Sequence, residues 1–231
     1  MISNFFKTKL TSEKLNAVTQ VATNLGINPN WLLAVMYFET GKTFSPAKTN
    51  SIGSVGLIQF TRDKAGVNYK TINGKKYLLS ELGKMSFVEQ MKVVEQYYKE
   101  VIKMTGTTPA SFVDTYLVTF FPTAINKTDD YVFQTKGLSA SLIAKQNPIF
   151  DTNKDLQVTK KEVTDMFKKW YGTAFKEIDV KKKSINAMSS LQNFLLFMKE
   201  FWTNHKKKII IGLVAIVSIT GAFILYKKYK K

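Results

Sequence analysis

Apolar residues recur at helical spacing through much of residues 1–175, which predicts a mainly α-helical domain. A first helix is expected from its cap at Ser12 to about Leu25. A second is expected from its cap at Asn28, and Gly41 ends it. Short polar residues commonly cap helix starts, and glycine commonly follows helix ends, so both boundaries have a physical basis.

The next elements are indicated by turn and cap residues. Asn73 and Gly74 separate residues 69–72 from residues 75–78, and this dipeptide is typical of a two-residue β-hairpin turn. Two further helices are expected, one from a capping box at Ser86 and Glu89 to about Met104, and one over residues 111–121.

The C-terminal part of the chain has a different pattern. Residues 185–202 carry apolar side chains at three- and four-residue steps, which predicts an amphipathic helix. Residues 209–226 are uncharged and apolar, with lysines on both sides, and as a helix they would reach roughly 27 Å, enough to span a bilayer. The fold class expected is therefore mainly α: a helical domain with a small β-hairpin, followed by an amphipathic helix and one C-terminal transmembrane helix.

Three regions are predicted: a domain over residues 1–175, a basic linker and juxtamembrane helix over 176–205, and a transmembrane anchor over 206–231. The amphipathic helix could lie in the membrane interface, pack on the domain, or form an oligomer seam. Lysines flank the anchor on both sides, so the excess of positive charge does not fix its orientation.

The chain is strongly basic, with a net charge of +17. Such a charge indicates a polyanionic neighbour, either a membrane surface, a nucleic acid or a cell-wall polymer. Arg62 is the only arginine, and arginine provides most bidentate base and phosphate contacts, so specific nucleic-acid binding is not expected. Residues 176–231 hold 12 lysines against 3 acidic residues, which places more than half of the excess charge near the expected lipid headgroups.

The residues that are missing restrict the chemistry. The chain has no cysteine, and its single histidine, His205, lies next to the expected anchor. A histidine-based zinc site, a Ser-His-Asp triad or a cysteine-histidine peptidase site is therefore excluded within the domain. Hydrolytic chemistry would have to rest on carboxylates, which leaves glycosidic-bond cleavage open.

Glu39 is the first candidate for such a carboxylate. It falls at the C-terminal end of the apolar second helix, where apolar neighbours should raise its pKa towards the range that a general acid needs. The alternative is an ordinary solvated glutamate near a helix end. A negative charge there opposes the helix dipole, so helix stability does not explain the residue.

The segment that follows strengthens this hypothesis. Glu39-Thr40, together with Gly56-Leu57-Ile58-Gln59 in the loop over residues 50–60, resembles the lytic transglycosylase and goose-type lysozyme superfamily, in which a helix ends in Glu-Ser and a loop carries Gly-Leu-Met-Gln. Residues 114–122 are similar to the aromatic motif of that family, although they depart from its commoner Tyr-Asn-Ala-Gly. The resemblance covers roughly residues 15–170.

The resemblance implies a lysozyme-like fold and a catalytic role for Glu39. Glu39 would protonate the glycosidic oxygen between N-acetylmuramic acid and N-acetylglucosamine in peptidoglycan glycan strands. Attack by the muramyl 6-hydroxyl would give a 1,6-anhydro product, whereas attack by water would be a lysozyme reaction. The second route usually needs another carboxylate, for which four candidates remain open: Asp63, Glu81, Asp114 and Asp129.

The resemblance also implies which residues contact the substrate. Gln59 would bind an N-acetyl or nearby polar group, and small residues in the loop would let the glycan approach the backbone. The aromatic motif would lie over the sugar. The expected substrate-binding residues are Thr40, Ser54, Gly56, Gln59, Tyr116 and Phe121.

Residues 151–162 fit the spacing of a twelve-residue calcium loop. The expected ligands are Asp151, Asn153, Asp155, Gln157, Thr159 and Glu162. Leu156 stands at the sixth position, where glycine normally provides a positive φ. The alternative is that Thr159 and Glu162 form a capping box of the next helix, which needs no metal. Catalysis itself is not expected to need a cofactor.

The expected location follows from the anchor. Residues 1–10 lack the apolar run of a secretory signal, so a tail-anchored domain would stay in the cytoplasm, away from peptidoglycan. The hypothesis that removes this conflict is a phage enzyme in a virion internal membrane, which meets the wall during genome entry, with the lipid membrane and other virion proteins as partners. A bacterial inner-membrane enzyme and a non-catalytic wall-binding structural membrane protein are the alternatives.

Overall fold

Helices dominate the architecture, with one small hairpin beside them, as the sequence pattern predicts. The structure, a computed structural model, describes residues 1–180, which lie within one compact unit, Met1–Lys182. In chain order the described elements are α1 Asn4–Lys7, α2 Ser12–Leu25, α3 Pro29–Glu39, β1 Tyr69–Ile72, β2 Lys75–Leu78, α4 Leu79–Leu82, α5 Phe87–Thr105, α6 Phe112–Phe120, a 3-10 turn Pro122–Ala124, α7 Ala140–Gln146, α8 Lys160–Tyr171, a 3-10 turn Gly172–Ala174 and α9 Phe175–Ile178.

Most helix boundaries lie where the caps predicted them. The Asn28 side chain accepts from the backbone of Asn30 and starts α3. The capping box of Ser86 and Glu89 is present at the start of α5. The cap of α2 is Thr11 rather than Ser12, because the Thr11 hydroxyl accepts a hydrogen bond from the Lys14 backbone N–H.

The hairpin also forms in the predicted register. β1 and β2 pair antiparallel, with Ile72 opposite Lys75. Asn73 and Gly74 both have positive φ, 49° and 76°, which is the requirement of a type I′ turn. Ile72 and Tyr77 bury their side chains, so the hairpin packs one face on the helical core.

Helix α3 is the centre of the fold. Trp31, Leu32, Leu33, Val35 and Met36 are all fully buried. Helices α2 and α6 pack on it, and α5 packs on α2. A helix that is apolar on all sides has to be enclosed, and this enclosure leaves its last residue, Glu39, only partly exposed.

The predicted membrane segments lie outside the described residues. Residues 185–202 and 209–226, which the sequence predicts as an amphipathic helix and a membrane span, are both beyond residue 180. No helix within the described part of the chain combines the length and the apolar character needed to cross a bilayer. The compact unit reaches past the predicted boundary at residue 175, since Phe175 and Ile178 are buried.

Candidate active site

Glu39 is the last residue of α3 and lies beside an aromatic cluster. The preceding residue, Phe38, packs edge-to-face on Tyr116, Phe167 and Trp170, with centroid distances of 5.6, 4.9 and 5.4 Å. Burial disfavours the charged form and raises the pKa of Glu39 from 4.5 to about 8. Among the described residues, no hydrogen bond or ion pair engages its carboxyl. A pKa near 8 favours the protonated form of Glu39 at neutral pH, which is the form that a general acid needs.

Tyrosines from three other helices lie within the electrostatic reach of Glu39. Burial raises the pKa of Tyr97 to about 12, with further contributions from the charges of Glu100 and Glu39. The pKa values of Tyr116 and Tyr171 are also raised, mainly by burial, and the charge of Glu39 adds to each shift. The C-terminal end of α3 thus faces α5, α6 and α8, and the phenols around it are neutral.

Thr40 holds the start of the loop that follows Glu39. Its hydroxyl donates to the Met36 carbonyl at 2.7 Å and accepts from the Phe44 backbone N–H at 2.8 Å. The side chain is fully buried. In this structure Thr40 supports the loop from inside the core and has no surface for a sugar, in contrast to the substrate contact that the resemblance implies.

Two other loop residues predicted to contact substrate, Ser54 and Gln59, differ in their exposure. Ser54 is buried, and its hydroxyl is 2.8 Å from that of Thr61. Gln59 is partly exposed and has a positive φ of 52°. Its amide nitrogen donates to the Lys48 carbonyl at 3.0 Å and to the Gly56 carbonyl at 2.9 Å. Since both N–H groups of Gln59 are used, its oxygen is the atom left to accept a hydrogen bond from a ligand.

A small polar cavity opens on the outer side of this loop. Its volume is about 170 Å³, and its lining residues are Ile58, Gln59, Phe60, Thr61, Arg62, Lys70, Tyr97 and Thr119. Ligand pockets usually have volumes of roughly 300–1,000 Å³, so this cavity fits one polar substituent of a larger ligand rather than a whole sugar. Tyr97, whose pKa is raised in small part by the charge of Glu39, is in the wall of this cavity.

Tyr116 and Phe121, predicted to lie over the sugar, are core residues here. Tyr116 is 4% exposed, and its ring packs on Phe167 at 4.8 Å. Phe121 is 7% exposed and stacks on Phe133 at 4.9 Å. Both rings are therefore part of the packed core, and neither has an open face.

In the described part of the chain, none of the four candidate second carboxylates interacts with Glu39. Asp114 is buried and bonded to Lys160 Nζ at 2.7 Å, and also to the Asn126 backbone N–H at 2.9 Å. Asp63 accepts from the hairpin and pairs with Lys70. The two others, Glu81 and Asp129, are exposed. Burial is the cause of the shifted pKa of Glu39, with no contribution from a neighbouring carboxylate of the described residues.

The predicted calcium loop has the backbone shape that such a loop requires. Leu156 adopts a positive φ of 64°, as the sixth position demands, and its side chain is 48% exposed. Asp151 Oδ2 accepts from the Leu156 backbone N–H, whereas Asp151 Oδ1 is buried without a hydrogen-bond partner. Asn153 and Asp155 each accept from a backbone N–H two residues on.

The helix-capping arrangement, which is the alternative to calcium binding, is present in the same loop. Glu162 Oε2 accepts from the backbone and hydroxyl of Thr159, which forms the capping box of α8, and Oε1 accepts from Thr152. Within residues 1–180, no three acidic or histidine side chains are grouped closely enough to hold a metal. Glu162 would have to leave its cap to become a bidentate ligand, so the two hypotheses exclude each other at that residue.

Two buried polar groups were not predicted from the sequence. Gln90 is fully buried, and its oxygen accepts from the Leu57 backbone N–H at 2.6 Å. Lys160 is buried against Asp114. The signal for Gln90 was its position on the apolar face of α5, three residues after Phe87 and four before Val94, since a polar residue there must find partners inside the fold.

Comparison of the chain with protein-family models, with curated proteins and with solved structures gives no match.

Proposed function

We propose that the N-terminal domain has a lysozyme-like fold and cleaves the β-1,4 glycosidic bond between N-acetylmuramic acid and N-acetylglucosamine in peptidoglycan. The observation that carries the proposal is the carboxyl of Glu39 at the end of the apolar helix α3, where burial raises its pKa to about 8. Glycoside cleavage needs such an acid to protonate the leaving oxygen. The sequence resemblance over Glu39-Thr40 and Gly56-Leu57-Ile58-Gln59 supports the same assignment.

In this reaction Glu39 transfers its proton to the glycosidic oxygen as the bond from that oxygen to the muramyl anomeric carbon breaks. Positive charge then develops on the sugar, and the Glu39 carboxylate that remains is the base for the second step. It takes the proton of the incoming hydroxyl as the new bond to the anomeric carbon forms. Glu39 is thus restored in its protonated form, and Gln59 Oε1 can accept a hydrogen bond from the sugar chain.

The surroundings of Glu39 favour internal attack by the muramyl 6-hydroxyl, as in a lytic transglycosylase. An inverting hydrolase needs a second carboxylate to activate water, and a retaining hydrolase needs one as nucleophile. Among the described residues, no carboxylate contributes to the pKa of Glu39, and Asp114 is held in a buried ion pair. A 1,6-anhydro product is therefore the outcome we propose, with lysozyme-type hydrolysis as the alternative.

The test is cleavage of purified peptidoglycan by the wild-type chain and by Glu39→Gln. The glutamine keeps the size of the side chain but has no acidic proton, so cleavage should stop while the fold and binding to peptidoglycan persist. Glu13→Gln, which changes an exposed glutamate with no proposed role in the reaction, is the matched control and should cleave normally. Equal cleavage by Glu39→Gln and wild type would exclude the mechanism and leave the non-catalytic wall-binding function.

A second proposal is that residues 151–162 bind Ca²⁺. The buried Asp151 Oδ1 without a partner and the positive φ of Leu156 both fit a loop built around a cation. Asp151, Asn153, Asp155 and Glu162 would supply side-chain oxygens, with Gln157 and Thr159 at the remaining ligand positions. Calcium would hold the start of α8 in place and takes no part in bond cleavage.

Attachment to a membrane is also proposed, on the sequence alone. Residues 209–226 would span the bilayer and residues 185–202 would lie near it, so the domain would act close to a lipid surface. A virion internal membrane is the location that brings such a domain to peptidoglycan during genome entry. The bacterial inner membrane is the alternative.

A further inference from the structure

Gln90 is a neutral polar side chain enclosed by the core. It follows the capping box of α5 and lies on the same face as Phe87, Met91 and Val94. Its exposure is 0%. Because burying an amide without hydrogen bonds is costly, a glutamine at this position has to be held by specific partners.

Three backbone groups from separate parts of the chain hold the Gln90 amide. Its oxygen accepts from the Leu57 N–H at 2.6 Å. Its nitrogen donates to the Leu82 carbonyl at 2.7 Å and to the Pro46 carbonyl at 3.0 Å. Both N–H groups of Gln90 are therefore used, and the side chain ties the two ends of residues 46–57 to the segment before α5.

The loop is shaped to receive this amide. Gly56 has a φ of 94°, and a Cβ atom added there would lie 2.5 Å from Gln90 Oε1 and 2.8 Å from Gln90 Nε2. Both the conformation and the close approach require glycine. On the sequence alone, Gly56 was explained by the approach of the glycan, whereas the structure explains it by the approach of Gln90.

The loop that Gln90 holds, residues 46–57, continues directly into the residues that line the small polar cavity. The Gly56 carbonyl accepts from the Gln59 side chain, which fixes the residue with an oxygen free for the glycan. Gln59 and Phe60 line the small polar cavity together with Tyr97, and the Phe60 and Tyr97 rings meet at 6.1 Å. Any shift of Leu57 would be passed to these residues because they are its near neighbours in the chain.

We infer that Gln90 is a positioning residue, which fixes the loop of Gly56 and Gln59 and keeps the catalytic site formed. This inference rests on the proposed function for its kinetic consequences. Gln90 does not touch substrate. It acts through Leu57 and Gly56, and a loosened loop would both misplace Gln59 and admit water to Glu39.

A purely structural amide provides the matched control. Asn30 in α3 is 3% exposed, its oxygen accepts from the Ser3 N–H at 2.8 Å, and its nitrogen donates to the Met1 carbonyl at 3.0 Å. It therefore ties down the N-terminus in the same chemical manner, at the opposite end of α3 from Glu39. Asn30→Leu should reduce stability without reaching the site.

The experiment compares full-length wild type, Gln90→Met, Gln90→Glu and Asn30→Leu in detergent, with purified peptidoglycan as substrate. We expect Gln90→Met to lower kcat/KM by about a hundredfold, since small displacements in a site have effects of that order. The alkaline limb of its pH profile should move to lower pH, because water around Glu39 stabilises the carboxylate. Tyr97 and Tyr98 of α5, Tyr116 of α6 and Tyr171 of α8 are the titratable groups that sense Glu39, and none of them is changed.

Gln90→Glu keeps an oxygen for Leu57 and should recover part of the activity, which also provides the test if Gln90→Met does not fold. Hydrogen exchange of the Leu57 amide should be faster in both Gln90 variants and unchanged in Asn30→Leu. The inference is overturned if the Gln90 variants keep the wild-type kcat/KM and the wild-type position of the alkaline limb. It is also overturned if, at equal unfolding midpoints, they lose no more activity than Asn30→Leu does. An inactive wild type with a protected Leu57 amide would instead refute the proposed function and retain the clamp.

Discussion

Replacing Glu39 by glutamine should make the domain more stable at alkaline pH while it removes activity. The pKa of Glu39 is raised from 4.5 to about 8, so the folded state binds this proton more tightly than the unfolded state does. The contribution of the group to stability is therefore complete below pH 4.5 and is lost as the pH rises towards 8. A glutamine at this position cannot titrate, so the variant should not show this loss.

The magnitude follows from the shift in pKa. One pKa unit corresponds to about 1.4 kcal/mol, so the full shift of Glu39 amounts to about 5 kcal/mol. The side chain remains partly exposed, and contact with water reduces the penalty, which leaves roughly 2–4 kcal/mol between pH 4.5 and pH 9. This is a large part of the stability of an ordinary domain.

The assay is urea unfolding of residues 1–182 at pH 5, 7 and 9, with Glu81→Gln as an exposed control. The free energy of unfolding of wild type should fall relative to Glu39→Gln as the pH rises, and the difference should level off above pH 8. The Glu81→Gln curve should follow that of wild type. Parallel curves for wild type and Glu39→Gln from pH 5 to pH 9 would show that Glu39 is ionised throughout and would refute the reasoning.

The remaining predictions concern the product, the loop and the anchor. Mass spectrometry of digests by wild type should show muropeptides that are one water lighter than the hydrolysis products, and reducing ends in their place would mean hydrolysis. Activity should decline above about pH 8 as Glu39 loses its proton. Calorimetry should detect Ca²⁺ binding that Asp151→Ala abolishes, and equal heats would leave only the helix cap. Leu156→Gly should raise the free energy of unfolding by up to about 1 kcal/mol, since it relieves a left-handed residue, whereas Leu156→Ala should not. A chain truncated after Lys183 should stay in solution without detergent, and its partition into vesicles would contradict the predicted anchor.

Local signals in the sequence determined most of the secondary structure. Asn28 as a cap, Asn73-Gly74 as a turn and the capping box of Ser86 and Glu89 each act through neighbouring backbone atoms. Interactions of this range do not depend on the rest of the fold, so their pattern can be recognised in the chain itself. The small error at the start of α2, where Thr11 rather than Ser12 is the cap, reflects two adjacent hydroxyl residues that could each do the same work.

The sequence also singled out Glu39, because an acidic residue at the C-terminal end of an apolar helix opposes the helix dipole and the Gly56-Leu57-Ile58-Gln59 loop follows it. Its raised pKa depends on burial, which only the packing of α6 and α8 around the end of α3 supplies. The roles of the neighbouring residues were decided by that packing as well. Thr40 and Tyr116 turned inward, although their residue types are equally suited to contact a sugar.

Only the tertiary structure brought the long-range polar contacts together. Gln90 meets Leu57 across 33 positions of the chain, and Lys160 meets Asp114 across 46. The sequence pattern can show that a polar residue such as Gln90 lies on an apolar helix face, but it does not identify the distant partner. Local chemistry in the sequence thus determined the helices, the hairpin and the candidate acid. The shape of the site was decided by the tertiary structure, because buried backbone groups need hydrogen-bond partners and side chains distant in sequence provide them.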